Sequence, residues 1–375
     1  MIELYKPIKF ENIKIDGFSV GTIPAGETGN ILVRAFITSD EARFHVFTKN
    51  LLTNFININE LDAVNRLLII IDKNDTASVY KVFPQNVGMK AKKDLKKGQV
   101  VFWDDIADIT EIHFEDSVFN VPILDGDKIV WLFRHRMKFY LYFDFSRKNT
   151  VQFSKQEMGY YFKKVIFADL YNFTADHNNF NKLLVDGWFP FLRLVGSKFD
   201  KLIQYYDSDQ KYNESITQIL MSFSKDEINQ FVLNWWRNPY FKAKKTLIEA
   251  GLNAYYLDSD EGYILCIKTL MSEIEGILRL AIFTEQTNNN PSTANLKDFI
   301  VNKALTKFTS LERLGFPHKF KDYLDSVLFK GFDIADTDVP TSRHSVNHGV
   351  ARIENYSKVR ALQLILLLDQ LTYFL

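Results

Sequence analysis

Three side chains capable of acid–base or phosphate chemistry fall within six positions of one another: Arg343, His344 and His348, in the stretch "TSRHSVNHGVARIENYSK" that begins at Thr341. A guanidinium stays charged at any ordinary pH and can bind two oxygens at once, whereas an imidazole exchanges a proton near neutrality. Pro340, Thr341 and Ser342 spell a helix start and Gly349 a stop. A hydroxyl accepts hydrogen bonds from the free amides of a first turn, and glycine tolerates the left-handed conformation that ends a helix. On such a helix His344 and His348 share a face and Arg343 lies beside Asn347, so the expectation is a converging cluster.

Three chemistries compete for this cluster. The i,i+4 histidines have the spacing of a zinc-protease helix, but Ser345 stands where the general-base glutamate of that motif belongs. A nucleophilic triad needs a serine elbow of the G-x-S-x-G kind beside its base, and the stretch that carries the cluster has none. The third chemistry is phosphodiester cleavage in RNA, where arginine binds phosphate oxygens and histidine moves a proton to or from a ribose or leaving oxygen, with no metal required. Against all three stands a purely structural role, in which the cluster caps a helix and pairs with "DIADTD" just upstream.

The elements that must position these residues differ between the two halves of the chain. "RLLIIIDKNDTASVYKVF" reads as two strands around Asp72, Asn74 and Asp75, and "KIVWLFRHRMKFYLYFDF" alternates Phe139, Leu141, Phe143 and Phe145 against Lys138, Tyr140, Tyr142 and Asp144. That pattern predicts a half-buried antiparallel sheet. From about residue 195 the period becomes helical: Ser224 and Glu227 form a capping box ahead of "INQFVLNWW", and amphipathic to buried helices follow through "YILCIKTLMSEIEGILRLAIF". The expected class is therefore α+β, with an antiparallel β-rich domain over residues 1–190 and an all-α bundle over 191–375. The last segment, from Val359, is apolar but interrupted by Arg360, Gln363, Asp369 and Gln370. It is too short and polar to span a bilayer of roughly 30 Å and reads as a buried core helix.

Arg343-x4-His348, followed by Gly349 and the apolar "LQLILLLDQL", resembles the HEPN superfamily, the higher-eukaryote and prokaryote nucleotide-binding helical domains. "WWRNPYFKAKKTLIEAGLNAYYLDSDEGYILCIKTLMSEIEGIL" is similar to the helical pair that precedes this motif in bacterial HEPN proteins linked to phage defence. The likeness covers the helical half only. It implies a metal-independent endoribonuclease that needs no cofactor, built as a HEPN-like bundle that forms a homodimer so that two motifs face each other across a composite cleft. By position, Arg343 would hold the scissile phosphate, His348 would transfer a proton and His344 would orient the phosphate or assist. Glu275 would orient Arg343, or else form an i,i+4 pair with Arg279, and Asn347 is a supporting candidate. The implied setting is a cytoplasmic RNA-cleaving effector of anti-phage or abortive-infection defence, triggered by a phage-derived signal or a regulatory protein partner, with the β-rich half sensing or restraining. Two alternatives remain: a non-catalytic HEPN-type module binding nucleotide, RNA or protein, and a toxin subunit held inactive by a partner.

The rest of the composition constrains without deciding. Forty-six basic residues balance 46 acidic ones, so any anion site must be local. The stretch "RNPYFKAKK" offers Arg237, Lys242, Lys244 and Lys245 with Tyr240 and Phe241, a track for RNA or an ordinary solvated helix start. "MKAKKDLKKGQ" reads as an exposed loop, and Trp235, Trp236 and Trp188 as interdomain packing. Cys266, the single cysteine, reads as a buried small hydrophobe, and a chain with one thiol suits a reducing compartment. "GTIPAGETGN" lacks the ending of a phosphate-binding loop, and "MIELYKPIKFENIKIDGF" lacks the apolar core of a secretory signal. His45, His113, His135, His177 and His318 show no ligand spacing, so no metal site is expected.

Overall fold

The computed structural model describes residues 5–55, 65–207, 212–307, 313–333, 339 and 341–375. The chain is α+β, and it divides into two compact units: Met1–Met89 with Ile109–Ile166, and Lys90–Asp108 with Phe167–Leu375.

The first unit is built on strands, four of them those expected within residues 66–83 and 128–145. In chain order these are β1 (Ile8–Phe10), β2 (Phe18–Ser19), β3 (Ile31–Leu32), β4 (Arg34–Thr38), β5 (Arg66–Ile71), β6 (Ala77–Tyr80), β7 (Asn86–Ala91), β8 (Ile106–His113), β9 (Lys128–His135) and β10 (Lys138–Asp144). Six of them pair antiparallel in the order β1, β6, β5, β9, β10, β4. The β5–β6 turn forms where the sequence places it, because Asp72 Oδ1 accepts from the amides of Asn74 and Thr76 at 2.8 and 2.9 Å while Asp75 takes φ +61°. Two helices complete the unit, α1 (Ala42–Phe55) and α2 (Val151–Ile166).

The sheet is covered on both faces, which corrects the half-buried expectation. Phe139, Leu141, Phe143 and Phe145 pack with Phe44, Phe47 and Leu51 of α1. On the other face Tyr142 is fully buried and donates to Glu157 of α2 at 2.7 Å, while Tyr161 of α2 stacks on Phe36 at 4.4 Å. Tyrosine scores as polar in an alternation, yet it carries an apolar ring that a helix can cover once its hydroxyl has a partner. Gly159 lets α2 lie against β8, since a Cβ there would be 2.5 Å from the Glu111 backbone.

The second unit is helical from its first long segment. It contains α3 (Ala168–Ala175), α4 (His177–Val185), α5 (Ser197–Asp207), α6 (Tyr212–Met221), α7 (Lys225–Trp235), α8 (Pro239–Ala243), α9 (Lys245–Tyr255), α10 (Asp260–Gln286), α11 (Thr293–Lys307), α12 (Pro317–Tyr323), α13 (Arg343–Asn347) and α14 (Lys358–Phe374). The chain therefore divides after Ile166, and not near residue 190. The helices between 151 and 185 lie in a stretch rich in aromatic and polar residues, where the 3.6-residue period is masked. The "MKAKKDLKKGQ" region is an exposed loop over most of its length, as read; Lys92 is the exception, 4% exposed and donating to the Val195 carbonyl.

The C-terminal helix is buried as expected, and the polar residues that interrupt it each bind another element. Asp369 takes Arg193 at 2.7 Å and the Trp235 indole N–H at 2.8 Å, and Gln370 accepts from the Leu192 amide at 2.8 Å. Gln363 donates to the Asp186 carbonyl at 2.8 Å, and Arg360 to that of Thr341 at 2.8 Å. Polar groups survive burial only with such partners. Trp188 and Trp235 are fully buried within this unit. Among the described residues, no helix is long and apolar enough to cross a membrane.

Candidate functional site

The short helix α13 begins and ends as its sequence predicts. Ser342 is its N-cap and accepts from the Ser345 amide, while the Ser345 hydroxyl bonds back to the Ser342 amide at 3.0 Å. Both serines are fully buried, so the box has no competition from water. Gly349 takes φ +73° just past the C-cap, His348. Most of "DIADTD" and Pro340 lie outside the described residues, so the expected pairing there is not part of this description.

Arg343, His344 and Glu275 come together. Glu275, on α10 and nearly buried, carries an arginine on each carboxylate oxygen: Arg279 on Oε1 at 2.7 Å and the Arg343 Nε on Oε2. The two roles expected for Glu275 are thus both filled. One negative charge faces two guanidinium groups, which leaves the trio net positive beside α13. Among the described residues the Arg343 Nε–H has no hydrogen-bond partner, so this contact is one of charge, and the Nη groups of Arg343 remain donors as well.

One of those, Nη1, lies 3.4 Å from His344 Nδ1. A guanidinium only donates, so Nδ1 is the unprotonated nitrogen and the ring proton sits on Nε2. Burial pushes the His344 pKa below the ordinary histidine value; the Arg343 charge and His348 act in the same direction, and Glu275 opposes them. His344 is accordingly a neutral ring that offers one N–H. His348 is exposed at the end of the helix, with the Phe332 ring 6.0 Å from its own.

Asn347 is fixed by α10, where Ser272 donates to its Oδ1 at 3.2 Å. Three residues that sequence reasoning missed complete the support: Ser272, Phe332 and Arg360, whose bond to the Thr341 carbonyl ties α14 to the residue before the N-cap. Arg360 had a signal, since an arginine inside an apolar helix must find partners.

The basic track does not join this cluster. Arg237 grips Asp94 through two bonds of 3.2 and 2.8 Å, Lys244 pairs with Glu273 at 3.1 Å, and Lys245 with Glu249 at 3.6 Å. Lys242 is exposed. The helix-start reading describes this stretch better than an RNA track, because three of its four charges are locally neutralised. Elsewhere, His113 lies between Glu111 and Glu115 at 3.1 and 3.3 Å on β8 and just beyond it. Among the described residues, no group of three or more His, Cys, Asp or Glu side chains is placed to hold a metal.

No family model matches the chain, and neither the curated proteins nor the solved structures compared with it give a match.

Proposed function

We propose that the helical unit is a metal-independent endoribonuclease of the HEPN kind, cytoplasmic and acting as a defence effector. The observation that carries the reading is the Arg343 guanidinium anchored by its Nε to nearly buried Glu275, with His344 beside it and His348 exposed on the same short helix. A carboxylate drawn by charge against the Nε edge of an arginine restrains the guanidinium, and a restrained guanidinium stabilises the charge that builds on a phosphoryl group in flight.

The ribose 2′-hydroxyl attacks the adjacent phosphorus, forming the 2′-O–P bond and breaking the bond to the 5′-oxygen. One proton leaves the 2′-hydroxyl and one arrives at the departing oxygen. His348 performs one of these transfers, and the His348 of a second copy the other, because His344 has its Nδ1 occupied by Arg343 and serves as an Nε2–H donor to phosphate. The products are a 2′,3′-cyclic phosphate and a 5′-hydroxyl.

Total RNA incubated with the protein in excess EDTA, with phage-infected lysate in a parallel sample to supply a trigger, should show cleavage and cyclic-phosphate ends. Loss of cleavage on chelation would refute the metal-free mechanism. A non-catalytic binding module is the second reading, favoured by the locally neutralised "RNPYFKAKK" stretch, and it predicts no cleavage in either sample.

A further inference from the structure

Lys92 brings an ammonium group into the helical unit without bringing a counter-ion. Its Nζ donates to the Val195 carbonyl at 2.7 Å, and among the described residues no carboxylate pairs with it. Next to it is a cavity of about 300 Å³, walled by Lys92, Lys93, Arg193 and Arg237 together with Asp94 and Asp369. That volume lies at the small end of ligand pockets, which run roughly 300–1,000 Å³. Both acids are already engaged: Asp94 with Arg237, Asp369 with Arg193 and the Trp235 indole. Lys93 is paired with Asp105. The charge left over in the wall is the one on Lys92, with the Arg193 guanidinium held over the Phe231 and Tyr373 rings nearby. Asn234 and Thr372 supply neutral polar groups.

We infer that this cavity binds a small oxyanion, free or as the phosphate of a small phosphomonoester, with Lys92 as its counter-charge. A buried ammonium whose one partner is a neutral carbonyl is unfavourable unless something negative joins it, so a lysine here fits a ligand site better than a packing role. The pKa of Lys92 is lowered by its surroundings. Burial pushes it down to about 7, helped by the charges of Arg193 and Lys198 and opposed by those of Asp104 and Asp369. The Tyr373 hydroxyl, which donates to the Lys92 carbonyl, has its own pKa pushed up by burial and stays neutral. An anion in the cavity needs Lys92 protonated, so affinity should be full below about pH 7 and fall by about tenfold per pH unit above it.

Calorimetric titration of the whole chain with sulfate, which does not ionise in this range, and separately with adenosine 5′-monophosphate tests the site. Both should bind, with tighter binding of the nucleotide pointing to a phosphomonoester and equal binding to the free ion. Lys92→Met, close in length and without the charge, should weaken both by at least tenfold. Absence of binding, or equal binding to Lys92→Met, overturns the inference. If that variant does not fold, the pH series on the unaltered protein decides: sulfate affinity falling between pH 7 and 9 supports the site, and a flat profile overturns it.

Discussion

Arg343 and His344 are coupled through charges that the sequence shows only in part. Their adjacency, and the helix that carries them with His348, follow from Ser342, Gly349 and the spacing between. The pairing of Glu275 with Arg279 is equally local, whereas the pairing of Glu275 with Arg343 joins helices far apart in the chain and only the fold can make it. Glu275→Gln removes the charge that orients Arg343 and should cost about 1–2 kcal/mol of stability, less than a fully buried pair because both arginines retain solvent contact. An NMR pH titration gives a sharper reading. The His344 pKa should begin below the ordinary histidine value, rise in Arg343→Met and fall further in Glu275→Gln. For stability the sign follows from the depressed folded-state pKa: what His344 contributes is present above the unfolded pKa of about 6.5 and is lost as pH falls through the folded value.

At the scale of elements, α13 has only five residues and cannot hold itself together. It rests on the buried Ser342–Ser345 box, on Ser272 of α10 and on the bond from Arg360 of α14 to Thr341. Arg360→Met should therefore loosen residues 341–349 selectively. Hydrogen exchange of their amides should speed up while α10 keeps its protection, and RNA cleavage should fall by about tenfold through loss of positioning. Uniform acceleration of exchange throughout the unit would mean that Arg360 supports the core instead. The strand hairpins and α14 were legible because period and turn chemistry agreed at every position. α1 and α2 were not, since "FHVFTKNLLTNF" and "FSKQEMGYYFKKVI" mix aromatic and polar residues in ways that satisfy a strand as readily as a helix.

For the whole molecule, α+β could be read from the change of period, but the division of the chain could not. Residues 90–108 return to the helical unit through contacts such as Lys92 with Val195 and Asp104 with Ser197, and no local signal announces them. The proposed chemistry asks one further thing of the molecule, a second copy, because a single chain offers one exposed histidine in the cluster and the reaction moves two protons. A two-fold contact between helical units would supply the other. Light scattering over a wide concentration range should show a dimer, and a monomer throughout, with and without RNA, would remove the composite site. The most direct test is the rate of RNA cleavage by Arg343→Ala and His348→Ala beside the unaltered protein, in EDTA and with folding checked by circular dichroism. Each variant should be folded and slower by on the order of a hundredfold or more, with His344→Ala less affected; cleavage that persists at the full rate in both folded variants would contradict the account.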